Sequence, residues 1–294
     1  MASDSKPVAV RFDCDEVVLR GEQWHAGDGA QQVLFLHEGG QTRHSWDRCA
    51  REVAARGRTA TTIDLRGHGD SDWSRSGRYT LQANRDDLHR VVRELGARPV
   101  VVGASLGGLT ALAAQGVDDE MAAGLVLVDI VPRPSPEGVQ RIRDFMTRHL
   151  GGFDSLDLVA DAVAVYTGRE RGRDIDGLKR NVRQRDDGRW YWHWDPQLMS
   201  SQGDLDTPPI PVDDLLAAAG NISVPVLTVR GGRSDVVTDK GIAELARAVK
   251  DARVAEVPGA GHMVAGDANE AFTYVVLDFL ESGVPPSPRP WLIR

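Results

Sequence analysis

Cysteine is nearly absent from this chain: Cys14 and Cys49 are the only two among 294 residues. A lone pair makes neither a disulfide framework nor a metal-ligand spacing, so a stapled secreted scaffold and a cysteine metal site are both excluded as organisers of the fold. A reducing cytoplasm is the simplest setting. Basic surplus is absent too. Lys and Arg number 35 against 43 Asp and Glu, a net charge of −8 with His neutral, which argues against nucleic acid as a partner. No run approaches the roughly 20 apolar residues that cross a bilayer. Met1 to Pro7 lacks the apolar stretch of a signal peptide and is followed by Arg11, Asp13, Asp15 and Glu16. No internal repeat or low-complexity block is present. With 41% hydrophobic and 27% charged residues, the composition is that of a soluble globular protein, long enough for one large α/β domain with an insertion.

What is present is an alternation of short apolar runs with helical segments. Val8 to Phe12 and Glu16 to Arg20 read as an antiparallel pair, and Val33 to Leu36, Thr59 to Asp64, Val100 to Gly103 and Leu125 to Val128 as further strands. Helices are expected at Trp46 to Arg56, with Ser45 as N-cap, and at Leu81 to Leu95, ended by Gly96. The pattern resumes with strands at Val226 to Arg230 and Val254 to Val257 and helices at Ile242 to Val249 and Phe272 to Leu280. Such alternation predicts a mostly parallel central sheet covered by helices on both faces. Between residues 132 and 221 it breaks down into helical pieces (Gly138 to His149, Leu156 to Tyr166, Asp176 to Arg183) and an aromatic run at Trp190 to Trp194. A stretch of that length is too long for a structureless loop, so 132–221 reads as a helical cap inserted into a core formed by 1–131 and 222–284. Residues 285–294, with four prolines, read as a surface tail.

The most specific signal is Gly103-Ala104-Ser105-Leu106-Gly107-Gly108. A β-branched run stops at a glycine, a serine follows one residue later, and the Ala/Leu-rich Leu109 to Ala114 suits a helix. This G-x-S-x-G strand-to-helix turn puts the serine at its tip, with a helix N-terminus behind it to hold developing negative charge. Ser105 is the candidate nucleophile.

A serine hydroxyl needs a base, and the base needs an orienting acid. His262, in Gly259-Ala260-Gly261-His262 after a strand, is the expected base, in a loop that suggests a mobile, exposed imidazole. Two acids compete. Asp235 follows Val226 to Arg230, and Asp129 follows Leu125 to Val128 one strand earlier. Both fit the order Ser, Asp, His; Asp235 is favoured by its position and sequence setting, leaving Asp129 as a secondary polar group. The oxyanion requires N–H donors, for which Leu106, directly after the nucleophile, and Gly39, in His37-Glu38-Gly39-Gly40, are the candidates.

Together these stretches, with Asp64-Leu65-Arg66-Gly67-His68-Gly69-Asp70-Ser71, resemble the α/β-hydrolase superfamily over nearly the whole chain. The resemblance implies an α/β-hydrolase fold with Ser105 as nucleophile, Asp235 as acid and His262 as base, and a supporting role for the Arg66 loop. It is greatest to the capped branch that includes bacterial esterases, lactonases, cofactor-free haloperoxidases and epoxide hydrolases. Epoxide hydrolases and haloalkane dehalogenases of this fold carry aspartate at the elbow, so Ser105 argues against both chemistries. Where the family has His-Gly after the strand, this chain has His37-Glu38.

Substrate-pocket candidates are Glu38 and His37, Trp46 with His44 just beyond them, and the cap run Trp190, Tyr191, Trp192, His193 and Trp194, which either lines an apolar pocket or forms the cap's own core. The cap arginines alternate with aspartates and read as a paired, solvated surface. The expected activity is hydrolysis of a small or medium carboxylic ester or lactone, with no cofactor, metal, nucleic acid or membrane. Perhydrolase, haloperoxidase or C–C hydrolase chemistry on the same triad, and a ligand-binding protein with little turnover, are the alternatives.

Overall fold

Among the described residues a nine-stranded sheet forms the centre of the protein, with strands in the order β1-β2-β4-β3-β5-β6-β9-β10-β11. These are Val8–Asp13, Val18–Trp24, Thr59–Ile63, Gln32–Leu36, Val100–Ala104, Gly124–Val128, Val226–Gly231, Ala252–Val257 and Trp291–Leu292. The computed structural model describes residues 6–172, 175–200, 211–264, 269–282 and 291–292. β1 pairs antiparallel with β2 and β2 with β4, and every later pairing in the sheet is parallel.

The central strands are apolar on both sides, and their two-residue period divides them between two cores. Leu34, Leu36, Val101, Leu125 and Leu127 face one cluster with Leu88, Val91, Leu112 and Leu245. Val33, Phe35, Val100, Val102, Val126 and Val128 face the other with Trp46, Val53, Phe272 and Val276. The first cluster draws its helical members from α2 (Leu81–Leu95), α3 (Leu106–Gln115), α7 (Val212–Asn221) and α8 (Asp239–Ala248). The second draws on α1 (Asp47–Ala55) and on α9 (Asn269–Glu281).

Several local expectations shift by a few residues. The helix at 46–56 begins at Asp47 after a 3-10 turn, Arg43–Trp46, and its N-cap is Trp46, without a side-chain cap; Ser45 lies inside the turn. Gly96 ends α2 in the left-handed conformation, as the sequence predicts. Asp176 to Arg183 is not a helix but a 3-10 turn, Asp176–Arg180, that leads into β7 (Val182–Gln184). In the C-terminal segment, the backbone of Trp291–Leu292 lies beside Ala255 and Glu256 as an edge strand.

Between β6 and β9 the chain builds α4 (Pro136–Arg148), α5 (Leu156–Thr167), the antiparallel pair β7 and β8 (Trp190–Trp192) and α6 (Gln197–Ser200). These enclose a third cluster with Met146, Phe153, Val159, Val182, Trp192 and Trp194. α7, within the expected cap range of 132–221, packs Leu215 and Ala219 into the sheet core instead.

The strand order decides where chemistry can sit. β3 lies between β4 and β5, and the chain leaves β3 for α1 on one face but leaves β5 for α3 on the other. Loops that depart in opposite directions open a crevice at the carboxyl ends of these strands.

Candidate active site

Ser105 stands at the tip of the β5–α3 turn with φ 45°, a left-handed conformation that side chains other than glycine adopt rarely. Its N–H donates to Val128 O (3.1 Å) and its carbonyl accepts from Leu109 N (2.8 Å). The flanking glycines are required by space. A Cβ on Gly103 would lie 2.5 Å from Gly107 O, and one on Gly107 would lie 2.5 Å from Leu36 O. The sequence Gly-x-Ser-x-Gly therefore turns here because β3 and the start of α3 leave no room for side chains at either glycine.

Asp129 is the other non-glycine residue with positive φ among the described residues, at 49°. Strain of this kind costs on the order of 1–3 kcal/mol and persists only where surrounding contacts enforce it. Here the Asp129 N–H donates to Val229 O at 2.7 Å. Ala104 pairs with Val128, so Ser105 and Asp129 continue from adjacent strands at the same register. The buried Asp129 carboxylate accepts from Gly231 N at Oδ1 (2.9 Å) and from Ser234 Oγ (2.6 Å) and His262 Nδ1 (2.7 Å) at Oδ2.

The acid on His262 is thus Asp129, not Asp235. Asp235 turns instead to Arg141 of α4, Oδ2 to Nε 2.9 Å, with its side chain 35% exposed. The physical reason is the turn Gly231–Ser234. Arg233 N donates to Ala260 O (2.8 Å), and a Cβ on Gly231 would lie 2.2 Å from Gly261 O, so the turn packs directly on the histidine loop. That packing brings Ser234 to Asp129. His262 is also buried rather than exposed. Burial alone would lower its pKa, but the hydrogen bond to Asp129 and the charges of Glu38, Asp129 and Asp235 outweigh it and raise the value above the usual 6.5.

The loop after β3 forms a turn closed by Gln41 N to Glu38 O (3.1 Å), with Gly40 at φ 82°. Gly40 N–H donates to His68 Nε2 (3.1 Å), while His68 Nδ1–H donates to Arg66 O (3.0 Å). Gly39 faces the turn that carries Ser105: a Cβ there would lie 4.0 Å from Leu106 Cβ. Leu106 is the first residue of α3, and N–H groups of a first helical turn have no acceptor within the helix.

His37 is a brace, not a pocket residue. Its ring is fully buried, donating from Nδ1 to Glu38 O (2.8 Å) and accepting Leu65 N at Nε2 (2.9 Å). Burial lowers the His37 pKa to about 4 and that of His68 to about 3, so both rings are neutral near pH 7. His68 went unread in the sequence beyond its place in the Gly-rich loop, although a histidine between two glycines there was the available signal. Arg66, in the same loop, is buried and binds Asp87 with two bonds, Nε to Oδ2 (2.6 Å) and Nη2 to Oδ1 (2.8 Å).

Trp46 is also not a pocket residue. It is 1% exposed and packs between Phe35 and Phe272, ring centroids 5.5 Å from each. His44 pairs with Asp47 (3.2 Å) beside Glu22, and these three are the candidate metal ligands among the described residues. Arg180 and Arg43 already approach the two carboxylates, at 3.1 and 3.6 Å. Of the aromatic run, Trp192 and Trp194 belong to the third cluster and Trp190 packs against it. Trp192 packs edge-on to Phe153 and near Phe145, the Tyr191 hydroxyl donates to Asp187, and His193 lies against Arg183. Backbone bonds from Gly69 N to His193 O and Asp195 N to Gly67 O, both 2.8 Å, seal the run onto the loop that carries His68. Of the five residues, Trp194 reaches the loop after β3, with Met146: a Cβ on Gly40 would lie 3.3 Å from Met146 Cε and 3.9 Å from Trp194 Nε1. Glu38 is buried in that loop, and its charge acts on His262.

Comparison with known proteins accords with this geometry. The family model described as "Alpha/beta hydrolase family" matches residues 33–273. Esterase Rv0045c of Mycobacterium tuberculosis is 34% identical over 271 residues, covering 87% of this chain and 85% of the relative. Its crystal structure superposes with a TM-score of 0.71 over 95% of this chain and 92% of that one, at 33% identity. The sn-1-specific diacylglycerol lipase ABHD11 of Mus musculus is 26% identical over 84% of this chain and 80% of its own. The crystal structure of E-2-(acetamidomethylene)succinate hydrolase, 22% identical, shares the fold at a TM-score of 0.80 over 94% of this chain and all of its own length, 100%. A serine elbow on a switch-point sheet, a family match over most of the chain and an esterase relative at this identity lead to one conclusion: the protein belongs to the alpha/beta hydrolase family and is a carboxylic ester hydrolase.

Proposed function

We propose that Ser105, His262 and Asp129 form a catalytic triad that cleaves a small or medium carboxylic ester or lactone through an acyl-enzyme. The observation that carries this reading is the 2.7 Å bond from His262 Nδ1 to an Asp129 that is strained, buried and in register with the strained Ser105. Asp129 holds Nδ1 as the donor, which leaves Nε2 as the base for the Ser105 proton. Ser105 attacks the carbonyl, and the N–H groups of Leu106 and Gly39 hold the oxyanion. His262 returns the proton to the leaving alcohol and then activates the water that releases the acid.

The segment between β6 and α7 acts as the cap, with Met146 and Trp194 beside Gly40 of the oxyanion loop. The cytoplasm suits the two free, buried cysteines, Cys14 and Cys49. The test is labelling with a fluorophosphonate probe followed by peptide mapping. An adduct on Ser105, lost in Ser105→Ala with turnover of p-nitrophenyl esters, is the expected result. A folded Ser105→Ala variant with undiminished turnover refutes the triad.

A further inference from the structure

We propose that Ser234 is a positioning residue for catalysis, whose hydroxyl aims the Asp129 carboxylate at His262; the inference rests on the triad proposed above. The Ser234 Oγ lies 3.2 Å from both Val236 N and Val237 N, so two backbone donors occupy its lone pairs. Its single proton is thereby directed outward, to Asp129 Oδ2 at 2.6 Å. A hydroxyl has one donor and two acceptor sites, and all are assigned here. Asp129 is in turn fixed at three points: Gly231 N on one oxygen, Ser234 and His262 on the other. Without the hydroxyl the carboxylate keeps Gly231 as its sole anchor besides the imidazole, and can rotate about it.

The same contact moderates charge. Three carboxylates act on His262: Asp129 from the end of β6, Glu38 from the loop after β3 and Asp235 from the loop after β9. Ser234 is the donor that shares the Asp129 oxygen facing the imidazole. Its removal leaves more negative charge for the imidazolium, which favours protonated His262 and moves the acid limb of the pH–kcat/KM profile upward.

The experiment compares Ser234→Ala and Ser234→Thr with the native enzyme on a p-nitrophenyl ester across pH 5–9, with Tm recorded for each. Ser234→Ala is expected to lose roughly ten- to a hundredfold in kcat with KM little changed, the size of a lost hydrogen bond to a charged group. Its acid limb moves to higher pH, and Ser234→Thr, which keeps the hydroxyl, restores both. An Ala variant with the native acid limb and kcat overturns the inference. So does a Thr variant that matches Ala, because the loss then follows packing and not the hydroxyl. Failure of the triad is separately visible: it appears as absent labelling at Ser105 in the native enzyme, before any Ser234 variant is made.

Discussion

Asp129→Asn is the perturbation that separates the two aspartates most sharply. The side chain keeps its shape but exchanges one acceptor oxygen for an NH2 donor. Asp129 receives three donors, from Gly231 N, Ser234 Oγ and His262 Nδ1. If the amide oxygen takes the Oδ2 position, the NH2 confronts the Gly231 N–H, which leaves a buried donor unmet at a cost of about 1–3 kcal/mol. If the amide flips, the NH2 faces His262 and drives the ring to the tautomer with its proton on Nε2, where it can no longer take the proton of Ser105. Either arrangement removes the negative charge that steadies the imidazolium. By analogy with orienting aspartates in serine hydrolases, kcat should fall by about 10³–10⁴, or roughly 4–5.5 kcal/mol of transition-state stabilisation. Asp235→Asn breaks the pair with Arg141, whose side chains are 35% and 56% exposed, and removes one charge that acts on His262, but it leaves the Asp129 bond to the imidazole in place. Partly exposed pairs of this kind contribute about 0–1 kcal/mol, so its kcat should stay within about tenfold of native. Initial rates on a p-nitrophenyl ester, with urea unfolding of each variant, decide the matter. A thousandfold loss in Asp235→Asn with Asp129→Asn near native would refute the reasoning.

The remaining predictions concern pH. His262 must be neutral to act as base, and its pKa is raised; activity should therefore climb with pH through a midpoint above 6.5, and Glu38→Gln should move that midpoint down in a pH–kcat/KM profile. A midpoint unchanged in Glu38→Gln counts against a role for the Glu38 charge. Acid stability should fall as well. His37 and His68 hold pKa values of about 4 and about 3 in the fold against 6.5 as free side chains. Above pH 6.5 both folded and unfolded states are neutral and stability is full. As pH falls below that value the unfolded chain takes up protons the fold refuses, at roughly 2 kcal/mol per histidine by pH 5. Urea unfolding at pH 7 and pH 5 should show the loss, and His68→Gln should reduce it by about half; equal stability at the two pH values would contradict the buried, neutral rings.

The local signals were legible because they rest on short-range physics. The elbow could be read at Gly103, Ser105 and Gly107, since a tight strand-to-helix turn needs glycine wherever backbone passes within a side chain's radius. The short apolar run Val33 to Leu36 and the glycine after Leu95 likewise state their structure within a few residues. These patterns fixed a parallel sheet, a serine at its crevice and a histidine loop after a later strand. Asp129 and Asp235 each follow a β-strand in the sequence, and nothing within either stretch says which carboxylate meets the imidazole. That was decided by the packing of the Gly231 turn on the histidine loop, which brings Ser234 to Asp129 and sends Asp235 out to Arg141. Trp46 and the cap aromatics posed the same difficulty, because an aromatic side chain suits a pocket wall and a core equally. Their neighbours Phe272 and Phe153 come from other elements of the chain, far along it from Trp46 and Trp192 respectively. The sequence by itself determined which chemical groups the strand ends carry; the tertiary structure alone decided which of them touch, because those contacts depend on how separate loops pack and not on spacing along the chain.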